Sequence, residues 1–328
     1  MIETVYIRGM GIVHSAGASA LGDDQAPPAP VVSAVRGKVP LPAFPVERFV
    51  TKARDVNAMG AGQKMLVCAA GLALEEAGVS GDSRSTCDLY MAAKIGERND
   101  VVDAAIFAAA PHEAFDINLH LARLRPTHFL AELPNLYAAN IAILLGLKGE
   151  SLSFVGEAAA SVQAVIHALE KLGTRRTSQI LAGGVFNGDQ QLHDEYLAGP
   201  DAERLGVFGT AACCMLLDRE PLGALASLRR GGPVGQEQVA ERLRQCEAGL
   251  LVVHGFAAQQ GWIPTLDVEV PVLDVQRMMG QLHEATLPVQ IYLAAQALRR
   301  QAPARHRRAL LLTQIARERY ESFVLDVF

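Results

Sequence analysis

Half of the 328 residues are hydrophobic and a fifth are charged, which is enough apolar material for a large core and, by length, for two domains or one large one. A net charge of -5 and an isoelectric point near 6.0 argue against nucleic-acid binding, because no excess of basic residues is present to neutralise phosphates. No uncharged apolar run reaches membrane-spanning length, and the opening MIETVYIRGM has neither the basic start nor the small-residue cleavage site of a signal peptide, so a soluble, cytoplasmic chain is expected.

Taken in order, VYIRGMGIV (Val5 to Val13) alternates as a strand does. Its Gly9 and Gly11 are not followed on schedule by a helix with a third glycine, so no dinucleotide or other cofactor is expected there. DDQAPPAPVV, with Pro27, Pro28 and Pro30, reads as an extended surface loop. Ala61 to Ala77 carries a helical pattern closed by Gly78, and DLYMAAKIG reads as a strand. Residues 101–125 give no firm assignment. PNLYAANIAILLGL, from Pro134 to Leu147, reads as an apolar helix with proline near its start and Gly146 near its end.

Leu152, Phe154 and Val155 then predict a strand, and Gly156 a sharp turn. Val162, Val165, Ile166, Leu169 and Leu172 recur at three- and four-residue intervals, the apolar stripe of a helix packed on one face. QILAGG reads as a second buried strand behind it. A strand, turn and helix of this kind present backbone N–H groups at a helix N-terminus, where they lower a thiol's pKa or hold an oxyanion. That place is filled here by Gly156, Glu157, Ala158, Ala159 and Ala160, none of which has a nucleophilic side chain suited to carry an acyl group. GDQQLHDEYLAGPDAERLG reads as loop, VFGTAACCMLLD as a buried strand, GQEQVAERLRQCE as a charged helix and GLLVVHG as an apolar strand ending in His254. TLDVEVPVLDV alternates, MMGQLHEATLPVQIYLAAQALRR reads as one helix, and RALLLTQ and SFVLDVF would close the sheet. Strands alternating with helices predict an α/β layered fold. Cys68, Cys87, Cys213, Cys214 and Cys246 are scattered without metal-ligand spacing, so buried thiols in a reducing compartment and no metal site are expected.

With these segments assembled, the chain resembles the β-ketoacyl synthase branch of the thiolase superfamily over nearly its whole length. VYIRGMGIV is similar to the family's opening VVVTGMGVV. NLYAANIAILLGLKGESLSFVGEAAASVQAV is similar to the run through GLRGPS to the TACSS nucleophile elbow, and ILAGGV resembles the ALAGG strand. Without gaps, the resemblance puts Ala158 at the nucleophilic cysteine. VVHGF resembles HGTxT, which gives His254 as the first catalytic histidine and Phe256 in place of threonine. VQRMMGQL resembles TKSxxGHL, which puts Gln276 at the lysine and Gln281 at the second histidine, with His283 two residues away. ARERYESFVLDVF has no counterpart of the family's GFGG, and the segments after Asn187 and Arg230 are shortened.

The resemblance implies a five-layered αβαβα fold of two similar halves, residues 1–220 with the elbow and residues 221–328. With three of four catalytic positions altered, it implies a non-condensing subunit like the chain-length factors that pair with an active β-ketoacyl-carrier-protein synthase. Such subunits serve polyketide, aryl-polyene or fatty-acid-type elongation. An active ketosynthase and an acyl carrier protein are the implied partners. Leu133, Leu136, Tyr137, Phe154 and Glu157 are the implied tunnel or interface positions, and Arg299, Arg300, Arg305, Arg307 and Arg308 could meet an acidic carrier. The competing expectation is a decarboxylase or thioester hydrolase using His254 and Glu157.

Overall fold

A computed structural model describes residues 4–23, 37–50, 52–94, 96–97, 100–109, 116, 118–119, 126–174, 176–199, 206–255, 270–300, 307–316 and 319–328. The strands are β1 (Thr4–His14), β2 (Gly17–Ala20), β3 (Gly37–Lys38), β4 (Asp88–Ala93), β5 (Ser151–Phe154), β6 (Gln179–Asn187), β7 (Val207–Phe208) and β8 (Thr210–Asp218). They continue with β9 (Ala226–Val234), β10 (Leu250–His254), β11 (Val272–Asp274), β12 (Arg308–Ala316) and β13 (Arg319–Val327). The helices that position the site are α1 (Ala61–Glu76), α2 (Asn135–Leu145), α3 (Glu157–Gly173), α4 (Gln191–Ala198), α5 (Val239–Cys246) and α6 (Thr286–Arg300).

One strand pattern is built twice. Across the main sheet the order is β11-β10-β12-β13-β9-β1-β8-β6-β4-β5. Within the set β1, β4, β5, β6, β8, the first strand in the chain lies beside the last, followed by the fourth, second and third; the set β9 to β13 runs the same way. Both sets change from antiparallel to parallel pairing at the same step, between their fourth and second strands. The two first strands join the sets through an antiparallel register of Thr4 with Arg229 to Ile7 with Ala226.

Side-chain alternation turns this sheet into layers, because successive residues of a strand face opposite sides. Leu250, Val252, Ala309, Leu311, Phe323 and Leu325 share a core with Ile180, Ala182, Cys213 and Met215 around α3 and α6. The alternate residues Leu251, Val253, Leu310 and Leu312 pack with Val239 and Leu243 of α5. On the other set, Leu181, Val185, Cys214 and Leu216 pack against α1 and α2. Two central helices are thus covered by a half-sheet on each side, each half-sheet backed by an outer helix layer, as the αβαβα pattern requires. Gly9 and Gly11 have a packing role: a methyl group on either would run into a carbonyl oxygen of α1, at Ala73 or Ala69.

Several local expectations change in three dimensions. QLHDEYLA, read as loop, is helix α4, held by Gln191 N–H donating to Asp100 Oδ2 at 3.0 Å. Asp100–Ala109, within the unassigned stretch, is a helix. VFGTAACCMLLD is split at Gly209, and MMGQLHEATLPVQIYLAAQALRR is broken at Gly280. The proline-rich loop, Phe256 and residues 265–269 of TLDVEVPVLDV lie outside the described residues.

Candidate functional site

β5 delivers the chain to Gly156, whose φ of 138° suits only glycine, and then to Glu157, which opens α3 with a left-handed φ of 54°. Ala158 is the second residue of α3 and partly buried. The first turn is tied to the neighbouring central helix by Ser161, whose Oγ donates to the Ala158 carbonyl at 2.8 Å and accepts from Leu287 N–H at 3.3 Å.

The second set of strands builds an answering turn. After β11 the short helix Val275–Met279 is capped by Asp274, whose side chain accepts from Arg277 N–H at 2.9 Å, and it stops at Gly280 with φ of 81°. The main chain of Gln281 then pairs beside β7: its N–H donates to Val207 O at 2.7 Å, and its carbonyl accepts from Gly209 N–H at 2.8 Å. His283, with φ of 39°, and Glu284 follow in the turn that leads into α6. β6 admits this turn only because Gly184 has no side chain; a methyl group there would meet the Glu284 carbonyl oxygen.

The two turns touch. Glu157 N–H donates to Glu284 Oε1 at 3.0 Å, and His283 Nδ1 lies 4.0 Å from Glu157 Oε2. Between them opens a cleft of about 270 Å³, lined also by Lys94, Phe186, His193, Tyr196 and Phe208. His193 stacks on Phe208 at 4.4 Å between ring centroids, and His283 packs on Phe186 at 4.5 Å. His193 Nδ1 donates to Gly188 O at 2.7 Å, which leaves Nε2 as the acceptor facing Lys94 Nζ at 2.9 Å.

Burial governs the charges here. It pulls His283 and His193 down to about 4, with the Lys94 ammonium pushing in the same direction, so both rings are neutral at pH 7. It also lowers Lys94, against a smaller opposing pull from Glu284 and Glu97. Glu284, only 3% exposed, is raised by burial, and its Oε2 has no hydrogen-bond partner.

Of the residues singled out from sequence, Glu157 and His283 line this cleft, with Ala158 adjacent at the elbow. His254 ends β10 at 4% exposure, held near 3 by burial and then by His283, with Nε2 unpartnered. Gln276 sits partly buried on the short helix, and Gln281 is engaged through its main chain with β7. Tyr137 is buried in the core beside α1, Leu136 is partly buried, and Leu133 is exposed. Phe154 stacks on His167 at 5.5 Å and tilts against Tyr90 at 6.0 Å. In the basic cluster, Arg299 and Arg307 donate to the carbonyls of Leu21 and Phe328, Arg308 pairs with Asp326, and Arg305 lies outside the described residues.

Lys94, His193 and Glu284 were not legible as site residues. His283 was visible only as a histidine two residues out of register.

All five cysteines are buried, and burial drives the thiols of Cys68 and Cys87 up to about 12. No cysteine stands at the elbow, and its first N–H is already taken by an internal carboxylate. The arrangement therefore has the frame of acyl transfer without a thiol to receive the acyl group or a free first N–H to hold its oxygen.

A family model described as the beta-ketoacyl synthase N-terminal domain matches residues 23–193. No curated protein matches the chain. Similar solved structures include a type II PKS acyl-carrier protein in complex with its ketosynthase bound to the hexaketide, at 13% sequence identity and a TM-score of 0.73. Others are a beta-ketoacyl synthase from Burkholderia phymatum STM815, at 16% and 0.70, and the ishigamide ketosynthase/chain length factor, at 14% and 0.70. Each match covers 100% of this chain and 100% of the other; at these identities the likeness is one of fold.

Proposed function

The chain belongs to the β-ketoacyl synthase family, and from that premise we propose that it is a non-condensing subunit that pairs with an active ketosynthase and shapes its chain elongation. The observation that carries this reading is the elbow. Ala158 has no group to accept an acyl chain, and Glu284 Oε1 holds the Glu157 N–H that would otherwise be free to bind a developing oxyanion. Gln276 and Gln281, at the positions the resemblance gives to lysine and histidine, supply neither a positive charge nor a titratable proton.

Support for a partner comes from the far edge of the sheet. β5 is the last strand in the order, with only β4 beside it among the described residues, so its outer N–H and C=O groups form an open edge. Leu152 and Val155 at this edge are 37% and 44% exposed, and Ile143 of α2 is 78% exposed. Phe129, Leu130 and Leu133 add further exposed apolar area on the segment that leads into α2. Such a face suits an obligate interface of roughly 2,000 Å² or more. In this reading Leu133, Leu136 and Phe154 border the partner's acyl tunnel, Tyr137 packs behind them in the core, and an acyl carrier protein delivers the substrate. The same reading divides the chain into residues 1–220 and 221–328, a division supported by the repeated strand order.

The test is catalytic. Supplied with acyl- and malonyl-carrier substrates, the isolated chain should form no carbon–carbon bond, Ala158→Cys alone should not restore one, and product should appear only when an active ketosynthase is added. Condensation by the isolated natural chain would overturn the reading.

A further inference from the structure

Lys94 is the charged group in the elbow cleft to which the reading above gives no task. It follows the last residue of β4, and its Nζ lies 2.9 Å from the bare Nε2 of His193 and 5.6 Å from the Phe186 ring centroid. Glu284 and Glu97 act on it through the field and not by hydrogen bond. An ammonium in this position is poorly solvated, which favours the free amine, and its Nζ is held on the lone pair of a neutral imidazole, a setting in which a lysine becomes a nucleophile.

A second, independent observation points to a ligand. Glu284 lines the same cleft, is 3% exposed, and leaves Oε2 without a partner while Oε1 accepts from Glu157 N–H. A buried polar atom left unpaired is costly, and a bound ligand group that pairs with it removes that cost. Burial raises the Glu284 carboxyl above its ordinary value, which favours its holding a proton. Phe186, Phe208 and Tyr196 supply aromatic walls for a flat, conjugated group, and Glu157 near the mouth disfavours an anion.

We propose that Lys94 is a nucleophilic amine that condenses with the ketone of an uncharged β-dicarbonyl ligand held in this cleft. Lys94 gives a proton to water, and its Nζ, held by an N–H to His193 Nε2, attacks the ketone carbon, forming a C–N bond and a carbinolamine. The C–O bond then breaks, and the oxygen leaves as water on a proton from Glu284 Oε2. Loss of a proton from the carbon between the two carbonyls gives a conjugated enaminone and returns the proton to Glu284, while the proton shed by Lys94 stays in solvent. One amine and one diketone yield one enaminone and one water, with no oxidant or reductant. The proposal does not rest on the partner role and holds for the chain alone.

The test uses the full natural chain with pentane-2,4-dione as the probe, followed by peptide mass analysis over time. Lys94 should gain the mass of the diketone less one water severalfold faster than the exposed Lys52 and Lys148. His193→Leu, which removes the acceptor that holds Nζ, should slow labelling of Lys94 and leave Lys52 and Lys148 unchanged. Labelling of Lys94 no faster than the exposed lysines in the natural chain, or unchanged in the His193 variant, would overturn the proposal.

Discussion

The turn before α3 and the turn before α6 occupy equivalent places in the two repeats, each following the third strand of its set and each opening a central helix. The first reaches α3 directly through Gly156 and leaves the Glu157 side chain 79% exposed. The second inserts a short helix and the Gln281 pairing before it turns, and it arrives with the His283 side chain 19% exposed and Glu284 buried. One turn is open to the cleft and the other fills it. The comparison teaches that this fold can retain the frame of an acyl-transfer elbow while side chains from the opposite repeat occupy the groups that would do the chemistry.

The fit between the turns breaks most severely at Gly184. A methyl group there meets the Glu284 carbonyl, so Gly184→Ala should lower stability by about 1–3 kcal/mol, read as a lower midpoint in urea with an unchanged slope. An unchanged midpoint would mean that the second turn is free to move away from β6.

His283 sharpens the comparison through pH. Its folded value of about 4 lies below the ordinary 6.5, so the contribution of neutral His283 is fully present above pH 6.5 and is lost as pH falls toward 4. Glu157 stands 4.0 Å away but is largely solvated, so water screens its charge and burial dominates. Replacing His283 with Gln should flatten the acid limb of the stability curve by at most about 1.4 kcal/mol per pH unit between those values. His14, His193 and His254 are lowered in the same way, so the difference between variant and natural chain, not the total slope, is the quantity to read. Superimposable acid limbs would place His283 in water.

The smallest effect belongs to the open turn. Glu157→Gly removes a left-handed non-glycine residue and keeps the N–H that Glu284 accepts, so it should stabilise the chain by about 1 kcal/mol or less. A destabilised variant would show that the Glu157 side chain, and not only its main chain, holds the turns together.

Much of this frame was legible in the sequence because it depends on local period. The stripe Val162, Val165, Ile166, Leu169 and Leu172 gave α3, and the short apolar runs QILAGG and GLLVVHG gave buried strands. The amphipathic signal of QLHDEYLA is weak, so α4 was read as loop, and His193 was lost as a candidate with it. Lys94 and His193 are separated by 99 residues, and Glu284 meets Glu157 across 127, distances at which no sequence period operates. An ungapped reading points to Gln281, but its main chain is drawn into pairing with β7, and His283 is the residue that turns into the cleft.

The most direct test of the partner role is the intact mass of the chain purified with and without a co-expressed active ketosynthase. The account predicts a one-to-one heterodimer that Ile143→Glu on the exposed apolar face dissociates, with elongation lost alongside it. A stable homodimer that ignores the ketosynthase and leaves its product length unchanged would contradict the account.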